Sequence, residues 1–243
     1  MSKNFLRIFI FILVSIFIFT CQNENKKKPT SGKITQESQE KKEISSVCIW
    51  DHGSVRAEPS RKAKWLSAMA LGEKITWLGE TKVDSADEKR KYLYVRLSDG
   101  TEGWASEYVV AVDASPAVII KETFIYRRPD LITITDKELK PMDLIAVVDK
   151  KNEWLKVTGK QYKKKGWIQS KVISSRDEDI AVALLAHKAY NKKDKKETKE
   201  KIKSILNNAQ FSNSIFISDL QEKYNNLIQE QTAEKADSLN TFE

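Results

Sequence analysis

The chain has 243 residues, 31% of them charged and 40% hydrophobic, with a formal net charge of +8. Six Trp, seven Tyr and nine Phe are too many for a wholly disordered chain, and eight Gly with five Pro exclude collagen-like or Gly/Pro-rich repeats. Two Cys exclude a disulfide framework and a Cys-rich zinc module, and two His leave little for metal or acid–base chemistry.

Lys3 and Arg7 make a basic start. Ile8 to Phe19 is then apolar, broken only by Ser15. Such a run matches a signal-peptide core and falls short of the ~18 to 20 residues that span a bilayer. Residues 1–20 are therefore expected to be a signal peptide. Directly after Cys21 the chain turns polar, from Gln22 through Lys26, Lys27 and Lys28. Residues 21–45 hold almost nothing apolar and are expected to be a solvated, disordered tether.

From residue 46 to about 175, short runs rich in Val, Ile, Trp and Tyr alternate with turn residues, which predicts strands. In Tyr92-Leu93-Tyr94-Val95-Arg96-Leu97, alternation puts Leu93, Val95 and Leu97 on an inner face. It puts Tyr92, Tyr94 and Arg96 on an outer, aromatic and basic one. Ser98-Asp99-Gly100 predicts a turn and Gly103-Trp104 opens the next strand. The same order recurs later. Val55-Arg56 with Pro59 is matched by Ile125-Tyr126 with Pro129, Gly72 by Met142, Tyr92 by Trp154, and Gly103-Trp104 by Gly166-Trp167. The units are 46–113 and 114–175. The extra stretch of the first, 81–91, is charged and is expected to be a long exposed loop.

After Ser175 the period changes. Ser175 to Glu178 has the spacing of a capping box, and Asp177 and Asp179 suit a helix N-terminus through the dipole. Helices are expected through 176–232, with buried stripes at Ile202, Ile205, Leu206 and Ala209 and at Ile217, Leu220, Tyr224, Leu227 and Ile228. Residues 233–243 are expected to fray.

The segment 1–21 resembles a bacterial lipoprotein signal. In that family the Cys is lipidated and becomes the new amino terminus, so the resemblance implies acylation at Cys21, export, and attachment to a bacterial membrane. Ile18 and Thr20 depart from the family's preferred Leu and small residue. The doubled unit resembles tandem bacterial Src-homology-3 domains. The resemblance implies a mainly β chain with two small SH3-like β-barrels, followed by the C-terminal helical segment. Tyr92 departs from the family's usual Trp, Met142 from its Gly, and Gly159 to Lys165 from its tight Asp-Gly turn.

Charge is uneven. Residues 114–175 hold 13 basic against 7 acidic residues, a net +6, with Lys160, Lys163, Lys164 and Lys165 together. Such a cluster serves as a solubilising face or attracts an anionic partner. Catalysis is not expected. Cys48 sits in an apolar stretch, and on a strand His52 would lie ~13 Å from it. His187 stands alone on a helix, and no H-E-x-x-H, Gly-x-Ser-x-Gly or P-loop occurs. No cofactor or metal is expected, and the exported compartment excludes nucleic acid. The expectation is a lipid-anchored binding module for cell-wall peptide (peptidoglycan) or an envelope protein. Its contact residues would be Tyr92, Tyr94 and Trp154, with Lys156, Lys163, Lys164 and Lys165 steering. The alternative is a structural or assembly lipoprotein whose C-terminal helices bind the partner.

Overall fold

The structure is a computed structural model that describes residues 43–84 and 89–240, with side chains to Ala233. The signal segment, Cys21 and the tether to residue 42 lie outside the described residues.

Strands β1 (Ile44–Cys48), β2 (Gly53–Arg56), β3 (Trp65–Met69), β4 (Lys74–Asp84), β5 (Arg90–Arg96), β6 (Glu102–Ser106) and β7 (Val110–Val112) form one antiparallel sheet. Its order is β3-β2-β6-β5-β4-β1-β7. Strands β8 (Ser115–Ile119), β9 (Thr123–Tyr126), β10 (Ile134–Leu139), β11 (Leu144–Lys151), β12 (Trp154–Gly159), β13 (Lys165–Gln169) and β14 (Ile173–Ser174) form the second, ordered β10-β9-β13-β12-β11-β8-β14. Position for position, the two orders are the same.

Neither sheet is a closed barrel, which corrects the SH3-like expectation. A barrel needs its end strands hydrogen-bonded to one another. Here β3 and β7 end the first sheet, β10 and β14 end the second, and neither pair is bonded. β7 and β14, of three and two residues, each pair along one side only, with β1 and β8. The first sheet instead curls around one apolar cluster to which every strand contributes, including Cys48, Val55, Met69, Ile75, Val95, Ala105 and Val110. The second does the same around Ile119, Ile125, Leu139, Ile145, Val157 and Ile168.

The doubled Gly-Trp has a steric cause. A Cβ on Gly103 would stand 2.7 Å from Val55 Cγ1 and 2.8 Å from the Arg56 carbonyl oxygen. One on Gly166 would meet Ile125 and stand 2.6 Å from the Tyr126 oxygen. In both sheets the sixth strand crosses the second too closely for a side chain. Gly72 and Met142 also occupy equivalent turns, with φ of 80° and 68°. The second turn thus carries a non-glycine residue in the left-handed region, and the Met142 side chain packs on the helical cluster.

The described residues of the stretch 81–91, which are 81–84 and 89–91, are largely strand and not loop. β4 runs on to Asp84 and pairs Thr81 with Leu93, Lys82 with Tyr92 and Asp84 with Arg90. Charged side chains face water on both sides of this two-stranded arm, so charge alone does not signal a loop there.

Helices α1 (Asp177–Tyr190), α2 (Lys195–Leu206) and α3 (Ile217–Asn240) follow. α3 continues to Asn240, into the stretch expected to fray, with no Gly or Pro within it to stop it. The helices are not a free appendage. Val182, Ala186, Ile202, Leu220 and Leu227 share a buried cluster with Val118 and Leu144 of the second sheet and Leu71 of the β3–β4 turn. The capping box does not form. Arg176 precedes α1 with no side-chain cap, and the Ser174 hydroxyl receives the Arg176 N–H. Asp179 does more than complement a dipole. It is fully buried and accepts from the Ser174 hydroxyl (2.6 Å), the Ser214 hydroxyl (2.9 Å) and the Ile215 N–H (3.1 Å).

Candidate functional site

Tyr92 and Tyr94 lie on the outer side of the first sheet, opposite Leu93 and Val95, but they are not equally exposed. Tyr94 is half-buried and packs on Trp104 with ring centroids 5.1 Å apart; its hydroxyl donates to Glu102 at 3.2 Å. Tyr92 is buried, 3% exposed, which corrects its expected place as an exposed anchor. Two pieces of chain rise beside it. The turn 49–52 leads into β2, with His52 at φ 60°. A 3-10 turn at Glu107–Val109 lifts Tyr108, which is 56% exposed.

Between them lies a groove of about 510 Å³. Tyr92 and Ser106 are paired across β5 and β6 and line it, together with Trp50 and Tyr108. Arg56, Arg61, Arg90 and His52 also line it, and among the described residues no Asp or Glu does. The Arg56 guanidinium donates to the Ala63 carbonyl at 2.7 Å, so the following loop holds it. The Arg90 guanidinium stands over the Tyr108 ring at 5.6 Å. The Ser106 hydroxyl oxygen is buried and has no hydrogen-bond partner among the described residues. Buried hydroxyls without partners are uncommon and costly unless a ligand or water meets them. A groove of this kind suits an anionic group carried on an apolar body.

Trp154 is the counterpart of Tyr92 in the second sheet. It is half-buried, and its ring meets Tyr126 edge-on at 5.0 Å. Lys156 is exposed on the same strand and lies opposite Trp167. Trp154 and Lys156 are thus neighbours of Tyr126 and Trp167 on one sheet, while Tyr92 and Tyr94 belong to the other.

The lysine-rich turn does not join either set as a free steering patch. It is largely a seam between the sheets. The Tyr162 hydroxyl donates to the Val110 carbonyl at 2.6 Å and the Gln161 N–H to the Ile49 carbonyl at 2.8 Å. Lys160 pairs with Asp51 at 3.4 Å, and Lys164 with Asp143 at 3.2 Å. His187, on α1, also lies 3.6 Å from Asp51. Lys163 and Lys165 remain exposed.

Cys48 and His52 are not on one strand, since β1 ends at Cys48 and a turn carries His52. Burial pushes the Cys48 thiol up to about 12, aided by the nearby Glu73 and Asp51 charges, and its Sγ donates to the Trp50 carbonyl at 3.1 Å. A thiol held that far from ionisation is no nucleophile at neutral pH. Among the described residues no group of His, Cys, Asp and Glu is arranged to hold a metal ion.

Reasoning on the sequence missed Trp50, Arg56, Arg61, Arg90 and Tyr108 as one set. They come from four separate stretches, and only the curl of the sheet brings them together. No family model and no curated protein matches the chain. Among solved structures it is similar to NlpC2 from Trichomonas vaginalis, at 12% identity and a TM-score of 0.24, over 68% of this chain and 56% of that one. It is also similar to NlpC1 from Trichomonas vaginalis, at 15% identity and a TM-score of 0.24, over 62% and 55%. The chain thus spans just over half the length of each. At that TM-score the likeness brings no residue role to this chain.

Proposed function

We propose that this protein is a membrane-anchored, non-catalytic binding module of the bacterial cell envelope, whose groove at Trp50, Arg56, Arg90 and Tyr108 captures a peptide carboxylate. The observation that carries this reading is the lining of the groove. Arg56, Arg61, Arg90 and His52 line it beside the Trp50 and Tyr108 rings and the Ser106 hydroxyl, and among the described residues no acid lines it. Arginine forks match a carboxylate with two parallel hydrogen bonds, and the Trp50 and Tyr108 rings supply contact area at low entropic cost. A cell-wall peptide with a free carboxyl end has this chemistry. The anchor is acylated Cys21, supported by the polarity break after it. Two acyl chains hold a protein on a bilayer where a single chain binds only marginally.

Titration of the full chain with a peptidoglycan stem peptide, followed by Trp fluorescence, tests the groove. Binding should weaken when the peptide is amidated at its carboxyl end. Arg56→Ala should weaken it roughly 10- to 100-fold, the loss of a charge-assisted pair. Equal binding of the acid and the amide would overturn the reading. The anchor is tested separately: Cys21→Ser should abolish incorporation of a fatty-acid probe.

A further inference from the structure

The second sheet carries a surface that the groove does not use. β10 is an edge strand, with β9 its only neighbour among the described residues of the sheet. Four large apolar side chains stand in water along this edge: Phe124 at 47% exposed, Leu131 at 60%, Ile132 at 84% and Ile134 at 50%. The turn that presents them is hydrogen-bonded. The Asp130 carboxylate accepts from the Ile132 N–H at 3.1 Å. The Thr133 hydroxyl donates to the carbonyls of Arg128 (3.0 Å) or Asp130 (2.8 Å) and accepts from the Arg128 N–H (3.1 Å). Leu131 and Ile132 are thus held outward by the backbone. A contiguous exposed apolar patch on an edge strand marks a contact surface.

Aromatic and basic side chains continue from this tip across the sheet. Ile134 lies opposite Tyr126, Tyr126 opposite Trp167, and Trp167 opposite Lys156. Arg127 and Arg128 directly precede the turn, and both are exposed. Lys137 and Lys165 are exposed on the neighbouring strands. Of the nearby acids, Glu138 pairs with Lys140 at 3.1 Å and Asp130 is turned toward its own backbone, while Glu122 and Asp136 are exposed. The whole stretch 114–175 carries 13 basic against 7 acidic residues.

We infer that this β9–β10 edge docks on an anionic lipid bilayer. Leu131 and Ile132 would enter the acyl boundary, the Tyr126, Trp154 and Trp167 rings would lie at headgroup depth, and the arginines and lysines would meet lipid phosphates. A polyanionic polymer would satisfy the cations but leave Leu131 and Ile132 in water. The inference does not depend on the groove, which lies on the other sheet.

The test uses the full chain with Cys21→Ser and an environment-sensitive fluorophore on Ile132→Cys; Cys48 is buried and does not label. The same label at Val83→Cys, exposed on the first sheet, serves as the control. Vesicles of phosphatidylcholine, with or without phosphatidylglycerol, carry a lipid-borne quencher. The label at 132 should be quenched on phosphatidylglycerol vesicles and the label at 83 should not. Arg127→Gln and Arg128→Gln should each weaken that quenching at low salt by roughly fivefold. Quenching equal at the two positions, or absent at 132, would overturn the inference. So would shielding of the 132 label that rises with protein concentration without vesicles, since a second copy would then cover the edge.

Discussion

Replacing Asp179 with alanine should uncouple the helices from the second sheet. The Asp179 carboxylate is fully buried at the start of α1 and joins three pieces of chain. It accepts from the Ser174 hydroxyl at 2.6 Å, the Ser214 hydroxyl at 2.9 Å and the Ile215 N–H at 3.1 Å, with an Arg176 nitrogen at 3.7 Å. Removing it leaves two hydroxyls and one N–H without their acceptor. Each such buried donor costs about 1–3 kcal/mol. Hydroxyls rotate and water can enter the space, so the sum is less than the parts. We expect a loss of about 3–5 kcal/mol, the range for breaking one side of a buried charged network. Urea unfolding at neutral pH, followed by circular dichroism and Trp fluorescence, reads it. The same site sets a pH dependence. Burial opposes the charged carboxylate, but the Ser174 and Ser214 hydroxyls, the Ile215 N–H and Arg176 outweigh it and hold its pKa below the ordinary Asp value. A pKa lowered by folding stabilises fully above the unfolded value of about 3.9 and is lost as pH falls through the folded value. The stability gap between the native chain and Asp179→Asn should therefore be widest near neutrality and close below about pH 4. A loss under about 1 kcal/mol in Asp179→Ala, or a gap that ignores pH, would refute the network.

The steric reading of Gly103 predicts that Gly103→Ala costs about 2–4 kcal/mol, because its Cβ would overlap Val55 and the Arg56 carbonyl; a thermal melt unchanged from the native chain would show that β2 and β6 can part. Val95→Asp should cost several kcal/mol and Tyr94→Ala far less, since Val95 is wholly buried and Tyr94 only half; equal effects on the urea midpoint would place the inner face wrongly. The folded chain's Cys48 should resist alkylation at pH 8, with its thiol raised to about 12, and react once urea unfolds the first sheet. Rapid labelling without urea would contradict its burial.

Much of the local structure is legible in residue order. Alternation at Leu93, Val95 and Leu97 is a property of the strand itself, and all three are buried. The stripe Leu220 to Leu227 likewise follows from helical period, and both residues are buried. The doubling is visible because the same steric demand, a strand crossing too close for a Cβ, falls on Gly103 and Gly166. Alternation assigns Tyr92 to a side of the sheet, but the turns at 49–52 and 107–109 decide that Trp50 and Tyr108 line one groove with it. Whether a sheet closes depends on which edge strands meet, and strand period carries no information about that. The lysine cluster shows the same division. Its charge is a matter of composition, but Lys160 and Lys164 are engaged by Asp51 and Asp143, one from the other sheet and one from an earlier turn. Periodicity and composition act over a few residues. The groove and the seam are made by residues tens of positions apart, which only the packing of the two sheets and the helices sets side by side.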